Sequence, residues 1–151
     1  MTSHINYFQS VIGSERVLID EENLIRCASD HTEDFVFKPQ IVLQPETTEE
    51  ISRILKYCNQ NKIIITPRGA GTGLSGGALP IFGSAVLDMK RMNKILKIDT
   101  ENFQVTTESG VITEELQNAV KEFGLYYPVD PASKGSCFIG GNVAENSGGA
   151  R

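Results

Sequence analysis

Residues 62–77 read KIIITPRGAGTGLSGG: a β-branched run that halts at Pro67 and passes at once into a loop holding five of the chain's fourteen glycines. The run is too short for a helix, so 62–66 reads as a buried strand. Glycine just past a strand end permits positive φ and close backbone approach, so successive N–H groups can converge on phosphate oxygens with no side chain in the way. Upstream, Thr47 with Glu50 three residues later forms a capping-box pattern, and Ile51, Ile54, Leu55 and Cys58 line one face of the helix that follows. Before that, Ile41 to Leu43 is a short strand fenced by Pro39 and Pro45. Strand, helix and strand together have the length of a right-handed parallel crossover, with the glycine loop at the end of its second strand.

Toward the N-terminus, Ile5, Phe8 and Ile12 recur at helical spacing behind Ser3 as cap, with Gly13 as the stop, and a second short helix covers 21–28. Downstream, 85–88 is a strand. MNKILKID and FQVTTESG alternate as an antiparallel pair joined at 99–102. Thr113 then caps a helix with Glu114 and Glu115 in its first turn. Its buried face is Leu116, Ala119, Val120 and Phe123, and Gly124 ends it. The last stretch is loop-rich, with one short helix over 139–145.

The 151 residues, 40% hydrophobic and 22% charged, suffice for a core of their own. Fourteen basic against nineteen acidic residues give a net charge of −5 with no basic block, which argues against nucleic acid and anionic membranes as partners. Any anion must be held locally, and a nest of backbone N–H groups needs no net positive charge. No stretch approaches the roughly 18 apolar residues of a membrane span, and the opening MTSHINYFQS lacks the basic start and apolar run of a leader. A cytoplasmic protein is the expectation. Cys27, Cys58 and Cys137 are widely spaced and odd in number, which reads as three buried thiols. His4 and His31 are the only imidazoles, so no metal site is expected.

Three phosphate-binding readings compete for residues 67–77. A Walker A loop fails, because no Lys followed by Ser or Thr closes the cluster. Gly71, Gly73 and Gly76 match GxGxxG, but that fingerprint must open a helix, and Gly77 and Pro80 make one poor there. Asp88 also comes too early to be the acidic ribose partner. An extended pyrophosphate loop that stays a loop suits the residues best, with a plain glycine-rich turn as the bland alternative. A second cluster, DPASKGSCFIGGNVAENSGG over 130–149, holds five more glycines and offers another bare surface, as a long cofactor requires.

PRGAGTGLSGG together with KGSCFIGGNVAENSGG resembles the FAD-binding domain of the glycolate oxidase FAD subunit, D-lactate dehydrogenases and D-2-hydroxyglutarate dehydrogenase. This is the vanillyl-alcohol oxidase and para-cresol methylhydroxylase (PCMH-type) flavoprotein fold. The similarity begins near Asp30, includes KPQIVLQPETTEEISRIL and runs to the last residue.

The resemblance implies an α+β architecture: an N-terminal helical segment (1–37), a first FAD-binding subdomain (38–98), and the beginning of a second, antiparallel-sheet subdomain (99–151), truncated. Pro67, Arg68, Gly69, Ala70, Gly71, Thr72, Gly73, Leu74, Ser75, Gly76 and Gly77 would form the pyrophosphate loop. The N–H groups of residues 69–73 would lie on the phosphates, and Ser75 would add a hydroxyl donor. For Arg68 a phosphate contact and a salt bridge that stiffens the loop stand level. Pro131, Ala132, Ser133, Gly135, Ser136 and Cys137 would approach from the second subdomain. Gly140, Gly141 and Asn142 would pack along the ribityl and flavin, while Asn146 and Gly148 hold the turn. Cys137 reads as a small structural residue, because no resolving cysteine or activating cation is visible. Some relatives bind FAD covalently through a histidine near the place of Thr72, so FAD here is expected to be non-covalent.

In the family a cap domain supplies the substrate clamp and the catalytic base, so no catalytic residue is expected in this chain. The expected role is the FAD-binding portion of an enzyme that oxidises a small 2-hydroxy acid, passing electrons to an unidentified acceptor. A Rossmann-type NAD dehydrogenase domain and a non-catalytic nucleotide-binding module are the alternatives. Unpaired strand edges in so short a chain would favour a homodimer.

Overall fold

The computed structural model describes residues 2–32 and 34–149, so the resemblance at the last two residues lies outside them. Helix α1 (Thr2–Ile12) precedes a two-residue strand β1 (Val17–Leu18), and α2 (Glu21–Arg26) follows. Ser3 lies inside α1 and is not its cap. Gly13, at φ 83°, does end the helix. The cap of α2 is Asp20, whose carboxylate accepts the Asn23 N–H, and the helix stops two residues short of the expected 28.

Strands β2 (Ile41–Leu43), β3 (Ile65–Arg68) and β4 (Ala85–Asp88) complete a four-stranded sheet in the order β1-β2-β4-β3. β4 runs parallel to both β2 and β3, and β1 is antiparallel to β2. The crossover through α3 (Thr48–Asn61) therefore passes over the place that β4 fills. Thr47 caps α3 as expected, accepting from the Glu50 N–H at 3.1 Å. Strand β3 starts later than the expected 62, because Lys62 (φ 57°) takes the left-handed position that closes α3 and Ile63 N–H returns to the Cys58 carbonyl.

All three residues of β2 are buried. Ile41 and Leu43 pack with Phe8, Ile12, Ile54 and Cys58 on one side, and Val42 with Leu24, Cys27 and Val86 on the other. Leu55, expected on the buried face of α3, is exposed. Arg16 clamps the start of α3 through two bonds to the Glu50 carboxylate, at 2.8 and 2.9 Å. Burial pushes the Glu50 carboxyl up, but the bonds from Arg16 and from the Glu46 N–H outweigh it and leave the pKa below its ordinary value. A carboxyl lowered on folding stabilises above its unfolded pKa, and that contribution fades as pH falls through the folded one. Glu50→Gln is therefore expected to cost about 1–2 kcal/mol at neutral pH, with the gap from wild type closing in acid, as urea titrations at several pH values will read.

The second part contains the hairpin β5 (Ile95–Asp99) and β6 (Gln104–Thr107), an antiparallel pair whose turn is pinned by the Asp99 carboxylate accepting from Asn102. The expected boundary at 98/99 falls near the end of β5. Helix α4 (Thr113–Lys121) buries Leu116 and Val120 against this hairpin together with Val111 and Ile139, whereas Phe123 is exposed. Helix α5 (Ile139–Ala144) closes the described chain.

The antiparallel bridge of Ile112 with Phe138 docks α5 beside the start of α4. The buried turn at Gly110, whose N–H donates to the Met92 carbonyl at 2.7 Å, ties the second part to the first. A Cβ on Gly110 would stand 2.3 Å from the Met89 carbonyl oxygen, so only glycine fits this crossing.

Candidate functional site

Both glycine-rich segments open onto one cavity of about 770 Å³, within the size range of small-molecule and cofactor sites. One wall is the end of β3 and the loop after it. Pro67, Arg68, Gly69, Ala70, Gly71, Thr72, Gly73, Leu74, Ser75 and Gly77 all line it. Gly76 does not: at φ 75° its carbonyl accepts from Leu79 and turns the chain back toward β4. No backbone N–H from Gly69 to Ala78 has an acceptor among the described residues, and the expected 69–73 lie within that stretch. No helix follows the loop, which runs on to β4. A GxGxxG motif that must open a helix is thereby excluded.

The opposite wall holds Ser133, Cys137, Gly140, Gly141 and Asn142. Pro131, Ala132, Gly135 and Ser136 do not line the cavity. They belong to a tight turn behind the wall, in which Pro131 O accepts from Lys134 and Ser133 O from both Ser136 and Cys137. This turn has its own task. Helix α4 has no side-chain cap, because its N-cap position is Ile112 and not Thr113. The first N–H groups of α4, at Thr113 and Glu114, donate instead to the carbonyls of Cys137 and Lys134, each at 3.0 Å.

The Thr113 side chain, wholly buried, links the wall together. Its hydroxyl donates to Cys137 O at 3.2 Å and accepts from Asn142 Nδ2 at 2.5 Å. Asn142 therefore spends its amide on holding α5, and Cys137 sits 4% exposed within the same network. All three thiols are free and buried, and burial pushes those of Cys27 and Cys58 up. Thr113→Val keeps the shape but leaves the Asn142 amide without its acceptor, so a loss of about 1–3 kcal/mol is expected in urea denaturation.

Two expectations for side chains change. The Ser75 hydroxyl is committed to Glu145 Oε2 at 2.6 Å, bridging the two glycine-rich segments across the cavity mouth. Of the two expectations for Arg68, the salt bridge does not form among the described residues. Arg68 is 8% exposed, and its guanidinium donates to the carbonyls of Ser29 (2.8 Å), Arg26 (3.4 Å) and Ala78 (3.5 Å), stiffening the loop without a carboxylate. The loop is held from the N-terminal side a second time, by His31 N–H donating to Gly73 O at 3.2 Å.

Asp30, Ala78, Met89, Ser109, Phe138, Ala144, Glu145 and Ser147 complete the lining and were not anticipated. Glu145 had a visible signal, as the sole acidic residue in 135–149. Asp30 had none, because it reaches the site only through the fold.

The sequence profile of the family described as FAD binding domain matches residues 39–151. The glycolate oxidase subunit GlcD of Bacillus subtilis is 48% identical over 122 residues, 81% of this chain and 26% of the relative. D-lactate dehydrogenase of Anaerostipes hadrus is 42% identical over 143 residues, 93% of this chain and 30% of the relative. A probable mitochondrial D-2-hydroxyglutarate dehydrogenase of Oryza sativa subsp. indica is 36% identical over 147 residues, 97% of this chain and 26% of the relative. The chain thus spans about a quarter to three-tenths of the length of these relatives. Among solved structures, p-cresol methylhydroxylase with substrate bound superposes with a TM-score of 0.72 at 29% identity, covering 85% of this chain and 25% of that one. With the family profile matched over residues 39–151 and the fold superposing on that of p-cresol methylhydroxylase, the chain belongs to the FAD-binding domain family.

Proposed function

We propose that this chain forms the FAD-binding part of a flavin-dependent oxidoreductase that oxidises a small 2-hydroxy acid of the glycolate, D-lactate or D-2-hydroxyglutarate type. The observation that supports it most is the glycine-rich stretch 69–78, none of whose N–H groups has an acceptor among the described residues, lining one cavity with a second glycine-rich wall. Donors so arranged suit a diphosphate, and the glycines leave room for its close approach. Residues 67–75 and 77 would hold the diphosphate. Ser133, Cys137, Gly140 and Gly141 would flank the ribityl and ring portion, and Thr113 and Asn142 would fix that flank in place. FAD, when bound, supplies the hydride acceptor. The chain's own part is to bind and orient: Leu74 and Phe138 add apolar surface to the cavity, and the Ser75–Glu145 bond spans its mouth. No proton-abstracting residue is assigned to this chain.

The loop carries no histidine and Thr72 has no ring nitrogen to bond flavin, so the cofactor is non-covalent in this reading. The purified protein is expected to absorb near ~450 nm as oxidised flavins do, and to release all of that colour on acid precipitation. Protein that folds, takes up no added FAD and shows no such band overturns the reading. Flavin mass retained after denaturation overturns the non-covalent part alone.

The natural protein is further expected to reduce a dye with a 2-hydroxy acid as sole donor. Pairing of two copies through the open edges of β5 and β6 belongs to the same reading and is checked by size-exclusion chromatography. No described helix is long and apolar enough to cross a membrane. A cytoplasmic location is the finer expectation, which cell fractionation tests against the mitochondrial naming of some relatives.

A further inference from the structure

A buried guanidinium is costly unless a carboxylate or a set of acceptors meets it. Arg68 has acceptors but no anion. Its three bonds go to the carbonyls of Arg26, Ser29 and Ala78, and among the described residues no carboxylate pairs with it. The carboxylate in register with it on the neighbouring strand, Asp88, is used elsewhere: it accepts from Gln44 at 2.8 Å and pairs with Arg26 at 3.6 Å. The position of this unneutralised charge is specific. Nη2 lies 2.2 Å from where a Cβ on Gly71 would be, so the guanidinium rests against the backbone of the loop at its centre. Among the described residues that line the cavity, Arg68 is the one cation, against Asp30 and Glu145.

We propose that Arg68, which lines the cavity beside Gly71 while its donors stay on the three carbonyls, is the counter-charge of the anion site and so selects a ligand that carries a diphosphate. The proposal rests on the flavin reading above and adds to it a positioning residue whose charge, beyond its bonds, sets affinity. Its side chain orders the loop by tying it to residues 26–29, and its charge favours a dianion in the cavity that it lines with the loop. The two roles separate by substitution. R68K and R68Q both lose the fork onto three carbonyls, but only R68Q loses the charge.

The test is the dissociation constant for FAD, measured by flavin fluorescence on the purified protein, with the melting temperature of each variant taken alongside. R68K is expected to bind within about threefold of wild type, and R68Q about thirtyfold more weakly, at similar melting temperatures. Equal weakening by both variants leaves only a bonding role and overturns the proposal, as does R68Q binding like wild type. If R68Q fails to fold, R68M, which keeps the aliphatic stem, replaces it with the same expectation. Wild-type protein that melts cooperatively yet binds no FAD removes the flavin reading itself, and the proposal with it.

Discussion

Gly71→Ala is expected to weaken FAD binding about a hundredfold while leaving the fold's melting temperature within a few degrees of wild type. Two effects combine. Gly71 sits at φ 74°, a conformation that costs an L residue about 1–2 kcal/mol, and its neighbours on both sides belong to the same row of free N–H groups. The new methyl would also fall 2.2 Å from Arg68 Nη2 and 2.7 Å from Cζ. A long side chain normally swings aside from such a clash. Here it is buried and held by three carbonyls, so either the loop or the guanidinium must leave its place. Because the loop lies outside the packed clusters, the damage stays local. Flavin titration gives the affinity and a thermal melt gives the control. Undiminished affinity contradicts the placement of the diphosphate on this loop.

Gly140→Ala is expected to act on the opposite wall and to lower both affinity and stability, the latter by about 2–3 kcal/mol. A Cβ there would lie 2.6 Å from Ser109 Cβ and 3.0 Å from its carbonyl oxygen, the same oxygen that accepts the Gly140 N–H at 2.8 Å. No rotation of a flexible side chain relieves a contact with backbone. The start of α5 must therefore move away from residue 109, which strains the Asn142 to Thr113 bond at 2.5 Å. Urea titration together with flavin binding on the same sample reads both losses. Gly141 is the internal control: nothing lies within 4 Å of a Cβ built on it. Gly141→Ala should leave stability nearly unchanged and reduce only binding, in proportion to how closely the cofactor approaches there.

What was legible in the sequence follows the range of the interaction that sets each feature. β2 and the Thr47 cap are local, written in an apolar triplet between prolines and a capping residue, and both appear where expected. The hairpin of β5 and β6 was equally visible in its alternation. The start of β3 was misplaced because a residue without glycine's freedom, Lys62, adopts the left-handed closing position of α3, and nothing in composition announces that. β1 is two residues long and exists only because β2 lies beside it. Thr113 looks like a cap by residue type, yet the carbonyls of residues 134 and 137 fill that role from a turn some twenty residues away.

The same division holds in the site. Glycines mark where a ligand's backbone cradle is, since their spacing has few other uses. The protein partners of Ser75 and Arg68 depend on which segments the fold brings alongside, and so Glu145 and the carbonyls of Arg26 and Ser29 were not visible as their neighbours in the sequence.

The hold of residues 26–31 on the glycine loop bears on how a minimal version of this protein should be cloned. A gene trimmed to the family match would begin at Pro39 and discard the carbonyls of Arg26 and Ser29 together with the His31 amide. Its product would carry the whole recognised signature and still lose two of the three acceptors that orient Arg68. Poor flavin loading by such a truncate would reflect the cutting site, and the signature itself would be blameless.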